Sequence, residues 1–206
     1  MTAAEAFARG LHEPGGHVLR LAGGDARPVP FDRWLGPATA IDERVLARAR
    51  GPVLDVGCGP GRHVRALARR GVLALGVDIS AGAVSLARRR GTAVIEGSVF
   101  SRVPRAGAWG SALLLDGNLG IGGDPERLLR RVRALLAPGG SILVETDPPG
   151  WPTRATRARL EGGGTRSEWF PWALVGADGL AGPAAAAGAA VADAWEDGGR
   201  WFAMLR

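Results

Sequence analysis

The chain is 206 residues long, 46% hydrophobic and 22% charged, which suits one sizeable folded core and excludes a disordered polymer. Its net charge of +6 does not argue for nucleic acid, because all 26 strongly basic residues are arginines, as a GC-rich coding bias imposes, and they are dispersed rather than gathered into a stripe. One cysteine, Cys58, excludes an internal disulfide and a cysteine-rich zinc site, and no run reaches the ~20 apolar residues that cross a bilayer.

Residues Met1–Arg9 carry an early acid and no continuous apolar core, so they read as no signal peptide, and a cytoplasmic protein is expected. A helix is expected over Ala3–Leu11, short strands at His17–Leu21 and Val29–Phe31, and a helix over Ile41–Arg50. Val53–Val56 reads as a buried strand that runs into the glycines of Gly57–Gly61. Val64, Leu67 and Ala68 repeat at helical spacing up to Gly71, and Val72–Val77 is a continuous apolar run, the mark of a strand covered on both faces. Ala83, Val84 and Ala87 open a helix closed by Gly91, and Ala93–Ile95 is a third strand. Ala112–Leu115 is a fourth, Pro125–Leu136 an amphipathic helix and Ser141–Thr146 a fifth strand. A hairpin is expected around Gly162–Gly164, and Pro183–Val191 reads as a small core helix. Val191–Trp195 and Arg200–Leu205 form a hairpin about Glu196–Gly199. Strands alternating with helices imply an α/β fold with a doubly wound, Rossmann-like sheet, mostly parallel, with a C-terminal antiparallel hairpin and helices on both faces.

A strand that turns at once into a helix through bare backbone is how such folds hold nucleotide-like ligands. Glycine supplies positive φ and lets the main chain approach a ligand. A dinucleotide fingerprint needs glycines at positions one, three and six. Here the third comes at position five and Arg62 stands at six, which disfavours a nicotinamide-dependent oxidoreductase. Asp78, at the end of the second strand, is placed to accept hydrogen bonds from both ribose hydroxyls of a nucleoside; the competing reading is a helix cap, with Ser80 as the other candidate. Asp116 and Asn118, the chain's one asparagine, put an acid and an amide at the reacting edge, or else form a turn that tolerates left-handed backbone. Of three histidines, His12 is a candidate general base, His17 flanks the same N-terminal turn and His63 packs beside the glycine loop. Trp34, Trp151, Trp169 and Trp172, with Phe31 and Phe170, lie outside the parallel core and either wall a pocket or form the core of its cover. No histidine pair has metal-ligand spacing, so no metal is expected.

The run Asp55-Val-Gly-Cys-Gly-Pro-Gly61, with Asp78 and the terminal hairpin, resembles class I S-adenosylmethionine (SAM) dependent methyltransferases over residues 50 to 146, and loosely in the tail. The resemblance implies SAM as cofactor and methyl transfer to a small-molecule acceptor, at oxygen or nitrogen, with a SAM-binding protein that transfers nothing as the alternative. It implies that Asp55, Gly57, Gly59 and Gly61 hold the methionine part, with Cys58 and Arg62 beside them. Asp78 and Ile79 would serve the ribose end, Ser98 and Val99 the adenine, and Asp116, Gly117, Asn118 and Leu119 would border the methyl group. Ser98 departs from the family's usual Asp. The amine-methylating signature, Asn or Asp then Pro-Pro and an aromatic, is absent at 116–119; Asp147-Pro-Pro-Gly150 follows the wrong strand and lacks the aromatic. The whole chain reads as one methyltransferase domain: an N-terminal cover (1–50), a SAM-binding core (51–146), a substrate-side insertion (147–175) and a terminal helix and hairpin (176–206). Nucleic-acid and membrane partners are not expected, and a monomer or homodimer is.

Overall fold

The computed structural model describes residues 1–206. In chain order the elements are α1 (Ala3–His12), β1 (Val18–Leu21), β2 (Ala26–Pro28), α2 (Phe31–Leu35), α3 (Ala40–Leu46), β3 (Val53–Val56), α4 (Arg62–Arg69), β4 (Ala74–Asp78), α5 (Ala81–Arg89), β5 (Val94–Glu96) and β6 (Trp109–Leu114). There follow α6 (Pro125–Arg133), β7 (Leu136–Thr146), β8 (Arg154–Gly162), β9 (Thr165–Arg166), β10 (Phe170–Leu174), α7 (Ala181–Ala186), β11 (Val191–Asp197) and β12 (Arg200–Leu205).

Seven strands form the central sheet in the order β11-β12-β7-β6-β3-β4-β5. Strands β3 to β7 pair in parallel, whereas β12 runs antiparallel to β7 and β11 antiparallel to β12. The pleat sorts side chains to two buried layers. Leu54, Val56, Ala112, Leu114, Ile142 and Val144 face one layer with Leu128 and Val132 of α6 and Ala184 of α7. Val53, Leu113, Leu115 and Leu143 face the other with Val45 and Leu46 of α3, Val64 and Leu67 of α4, and Val84 and Ala87 of α5. The chain winds from β3 outward to β5, then returns to the other side of β3 with β6, so the order reverses between β3 and β6. Ligands of open α/β sheets bind at such a switch point, beyond the carboxyl ends of the strands.

A second, antiparallel sheet, β10-β8-β1-β2 with β9 hairpinned onto β8, joins the N-terminal segment to the segment after β7. Leu21, Ala158 and Leu174 are its buried centre, with Leu19, Phe170 and Trp172 packed against them. Helix α1 docks on α5, where Gly82 leaves room for Ala8: a Cβ on Gly82 would stand 2.5 Å from the Ala8 methyl. Phe31, Leu11 and Ala83 are buried between these pieces.

Several boundaries differ from expectation. The second cover strand is Ala26–Pro28 rather than Val29–Phe31: Pro30 cannot donate to a ladder, and Phe31 instead opens α2 and sets its ring edge-on to His17. Helix α6 stops at Arg133, because Leu136 already pairs with Trp109 of β6. Helix α3 ends at Leu46 rather than Arg50. The alanine run is helical over Ala181–Ala186 only; Gly188 at φ 74° ends it and Val191 opens β11. No helix is long and apolar enough to cross a membrane.

Candidate functional site

Gly57, Gly59 and Gly61 have φ of 71°, 52° and 81°, a region that side chains disfavour. A Cβ on Gly57 would lie 2.7 Å from the Asn118 amide, and one on Gly61 2.5 Å from the Thr92 methyl. Asn118 explains the first closeness: its Nδ2 donates to the carbonyls of Val56 and Gly57, both at 2.9 Å, tying the loop after β6 to the loop after β3. Asp78 does the same from β4. Its Oδ2 accepts from the Gly59 amide and its Oδ1 from the Ser80 amide, both at 2.8 Å. Burial pushes the Asp78 carboxyl up despite those two amides, with the nearby Asp55 adding to the rise. Ser80 is the true cap of α5, accepting from the Ala83 amide, and its hydroxyl also donates to Ala4 of α1 at 3.0 Å. The two readings of Asp78 therefore coexist: Ser80 caps, and Asp78 braces the glycine loop with lone pairs to spare.

A cavity of about 430 Å³ opens over this loop. Its floor holds Gly57, Asp78, Ile79, Ser98, Val99, Asp116 and Asn118; its roof, from the cover, is apolar and includes Phe7, Trp34, Phe170 and Trp172. Ile79 is 62% exposed, an unusual state for a large apolar side chain unless something covers it. A second cavity of about 200 Å³ lies at the carboxyl ends of β6 and β7, lined by Arg27, Arg33, Asp116, Gly117, Glu145 and Asp147. Leu19, Val29, Trp34, Asp116 and Trp172 border both. A third space of about 40 Å³ sits by the glycine loop and touches Cys58, Arg62 and His63.

An enclosed ion network underlies all three. Asp116, at φ 58°, receives Arg62 Nη2 at 2.8 and 2.9 Å and Arg33 Nη2 at 2.9 Å, while its own amide donates to Glu145 Oε2 at 2.7 Å. Arg200 grips Glu145 in a two-pronged pair, both contacts at 2.8 Å, and reaches Asp42 at 2.8 Å. Burial pulls the His63 imidazole down, but Asp42 and Asp55, each 3.6 Å away, together hold its pKa up at about 9. Burial would raise Asp42, yet His63, Arg200 and Arg62 together push it well below the usual carboxylate range. Burial drives the Cys58 thiol pKa up, away from reactivity.

Four expected site residues lie away from the large cavity. Asp55 lies on the same face of β3 as Val53, so it looks at His63 on α4 and lines none of the three cavities. Arg62 is 3% exposed and gives its Nη2 to Asp42 and Asp116 rather than to the space above the loop. Cys58 turns its sulfur into the gap left by Gly76 and touches only the smallest cavity. His12 is exposed in the last turn of α1, whose buried side is Ala6, Gly10 and Leu11, and lines none of these three cavities. Ser98 lines the large cavity, but its hydroxyl accepts from the Phe100 amide at 3.2 Å and so closes a turn as well. The aromatics divide: Trp34, Phe170 and Trp172 wall the large cavity, Phe31 is cover core, Trp151 stacks on Arg27 and Trp169 on Arg159. Sequence reasoning missed Arg33, Asp42, Glu145 and Arg200. Only Glu145 left a signal, as an acid near the end of an otherwise apolar strand.

Residues 53–140 match the family model described as a methyltransferase domain. A trans-aconitate 2-methyltransferase of Paracidovorax citrulli is 34% identical over 118 residues, 55% of this chain and 45% of that protein. A ubiquinone biosynthesis O-methyltransferase of Acinetobacter baumannii is 27% identical over 114 residues, 52% of this chain and 48% of that one. The chain thus spans about half the length, or less, of the curated relatives it matches. A SAM-dependent methyltransferase from Bacteroides fragilis, solved with S-adenosyl-L-homocysteine, shares the fold at a TM-score of 0.80 and 23% identity, over 99% of this chain and 93% of that one. Residues 53–140 thus resemble a methyltransferase domain, and the whole chain shares the fold of a solved SAM-dependent methyltransferase.

Proposed function

We propose that this chain, read as a single methyltransferase domain over 1–206, transfers the methyl group of SAM to a small-molecule acceptor. The observation that carries this is the joining of two cavities at the switch point. One lies over a glycine loop in which a Cβ at Gly57 or Gly61 would collide with Asn118 or Thr92, and the other lies beyond β6 and β7. The larger has the volume, the apolar walls and the buried carboxylate of Asp78 that a nucleoside needs. Gly57 and Gly59 would hold the methionine part, with Asn118 fixing the loop, Asp78 would take the ribose, and Ile79, Ser98 and Val99 would flank the adenine. Gly117, which lines only the smaller cavity of these two, and Asp116, which borders both, would stand beside the methyl group.

When bound, SAM supplies a methyl made electrophilic by its sulfonium. The chain's part is to align the acceptor and exclude water, and alignment of this kind can contribute ~7–11 kcal/mol. The names of the two relatives above, a trans-aconitate and a ubiquinone-biosynthesis methyltransferase, favour a small acceptor over a macromolecule. The test is calorimetry with S-adenosylhomocysteine and NADH, followed by turnover with tritiated-methyl SAM. Binding of the first and not the second is expected. NADH binding, or no affinity for S-adenosylhomocysteine, would sink the reading.

A further inference from the structure

The smaller cavity carries its own chemical signature. Its three carboxylates are fully engaged: Asp116 by Arg62 and Arg33, Glu145 by Arg200 and the Asp116 amide, Asp147 by Arg27 and, at 3.0 Å, the Val175 amide. All six of their oxygens already accept a hydrogen bond. The donors are not all matched. Nε and Nη2 of Arg27, Nε of Arg33 and Nε1 of Trp34 are enclosed and have no partner in the protein. A buried donor left unmade costs ~1–3 kcal/mol, so the three on Arg27 and Arg33, residues that line this cavity, favour an acceptor-rich occupant, with Trp34 bordering it as well.

The charges agree. Arg27, Arg33, Arg62 and Arg200 face Asp42, Asp116, Glu145 and Asp147, four of each sign. A sulfonium arriving next door adds a positive charge that this evenly matched network does not offset. The site also offers no free base: His12 is exposed away from it, His63 is shut between Asp42 and Asp55, and His17 is buried against Phe31. An acceptor that must lose a proton first has nowhere in this cavity to send it.

Resting on the methyl-transfer reading above, we infer that the acceptor is a small carboxylic acid, held as its anion by Arg27 and Arg33 and methylated on a carboxylate oxygen. That oxygen attacks the methyl carbon opposite sulfur. The C–O bond forms as the S–C bond breaks, and the electron pair of that bond stays on sulfur. Anion and sulfonium become a neutral methyl ester and neutral S-adenosylhomocysteine, with no proton released. At about 200 Å³ the cavity suits an acid of modest size.

The experiment offers tritiated-methyl SAM with succinate, glutarate or benzoate, each beside its amide and its alcohol, and with inorganic phosphate. Mild alkali then releases ester methyl groups as volatile methanol. Binding of the same probes to the S-adenosylhomocysteine complex is followed by tryptophan fluorescence, since Trp34 and Trp172 border the cavity. Acids are expected to bind and give alkali-labile label, while amides and alcohols do not. Losing one charged hydrogen bond, Arg27→Gln should raise the acid's KM about tenfold and leave S-adenosylhomocysteine affinity within about twofold. Arg27→Lys, which keeps the charge, should recover part of the loss and controls for folding. Alkali-stable product, preference for phosphate, equal use of amides or alcohols, or no acid binding to a complex that does hold S-adenosylhomocysteine would each overturn the inference. Only failure to bind S-adenosylhomocysteine would strike the underlying reading instead.

Discussion

The two cavities sit side by side and are built in opposite ways. The larger borders a loop shaped by main chain, with Gly57 at positive φ, an amide held by Asp78 and carbonyls held by Asn118, under apolar walls. The smaller is shaped by long charged side chains from α2, β2 and the ends of β6 and β7. Backbone recognition constrains which residues can occupy a position, whereas side-chain recognition only requires that some charge arrive from somewhere. One kind of site tolerates little change, and the other can be rewritten residue by residue.

The strongest challenge to that contrast is the shared floor. Arg62 is enclosed and joins Asp42 to Asp116, so Arg62→Ala leaves two buried carboxylates short of a partner and should cost about 3–5 kcal/mol of stability in urea unfolding. Loss of S-adenosylhomocysteine binding and turnover together is expected. Loss of one alone would show that the network belongs to a single cavity.

His63 tests the same floor by pH. Its folded pKa of about 9 lies above the ordinary imidazole value of 6.5, so the folded state holds its proton more tightly. The stabilisation is complete below pH 6.5 and is lost as pH rises through about 9, by up to about 3 kcal/mol. Unfolding midpoints measured across that window should fall with pH, and His63→Asn should flatten the slope; an unchanged slope in the variant would remove His63 from the account.

Asp78→Ala separates the cavities. It should weaken S-adenosylhomocysteine binding by about 10- to 100-fold in calorimetry, through one or two charged hydrogen bonds, and leave the acceptor's KM near its original value. An effect on acceptor KM alone would invert the assignment. His12→Ala gives the smallest expected change, below about 0.5 kcal/mol in stability and without effect on turnover, because His12 is exposed and borders neither cavity. A marked fall in kcat would restore it as a base.

The contrast also explains what could be read without coordinates. The glycine spacing, the apolar runs of β3, β4 and β6, and Asp78 were legible because backbone geometry and two-sided burial restrict residue type. Asn118 drew notice by its rarity, but its work of pinning Val56 and Gly57 depends on a loop 61 residues away. Asp55 shows what a motif leaves open: it gives the residue and not the face of the pleat, here the face toward His63. Arg33, Asp42 and Arg200 could not be found: each is an ordinary charge on an ordinary element, and meaning arises only where α2, α3 and β12 converge.

The covering sheet sets a timetable for the ribosome. Arg20 of β1 meets Glu161 of β8 across 141 residues of sequence. During translation β1 can pair with β2 at once, and β3 to β7 can assemble, while the other edge of β1, where Leu19 and Leu21 later meet Leu160 and Ala158, stays open. The larger cavity, roofed by Phe170 and Trp172, can therefore close only after β10 has been made.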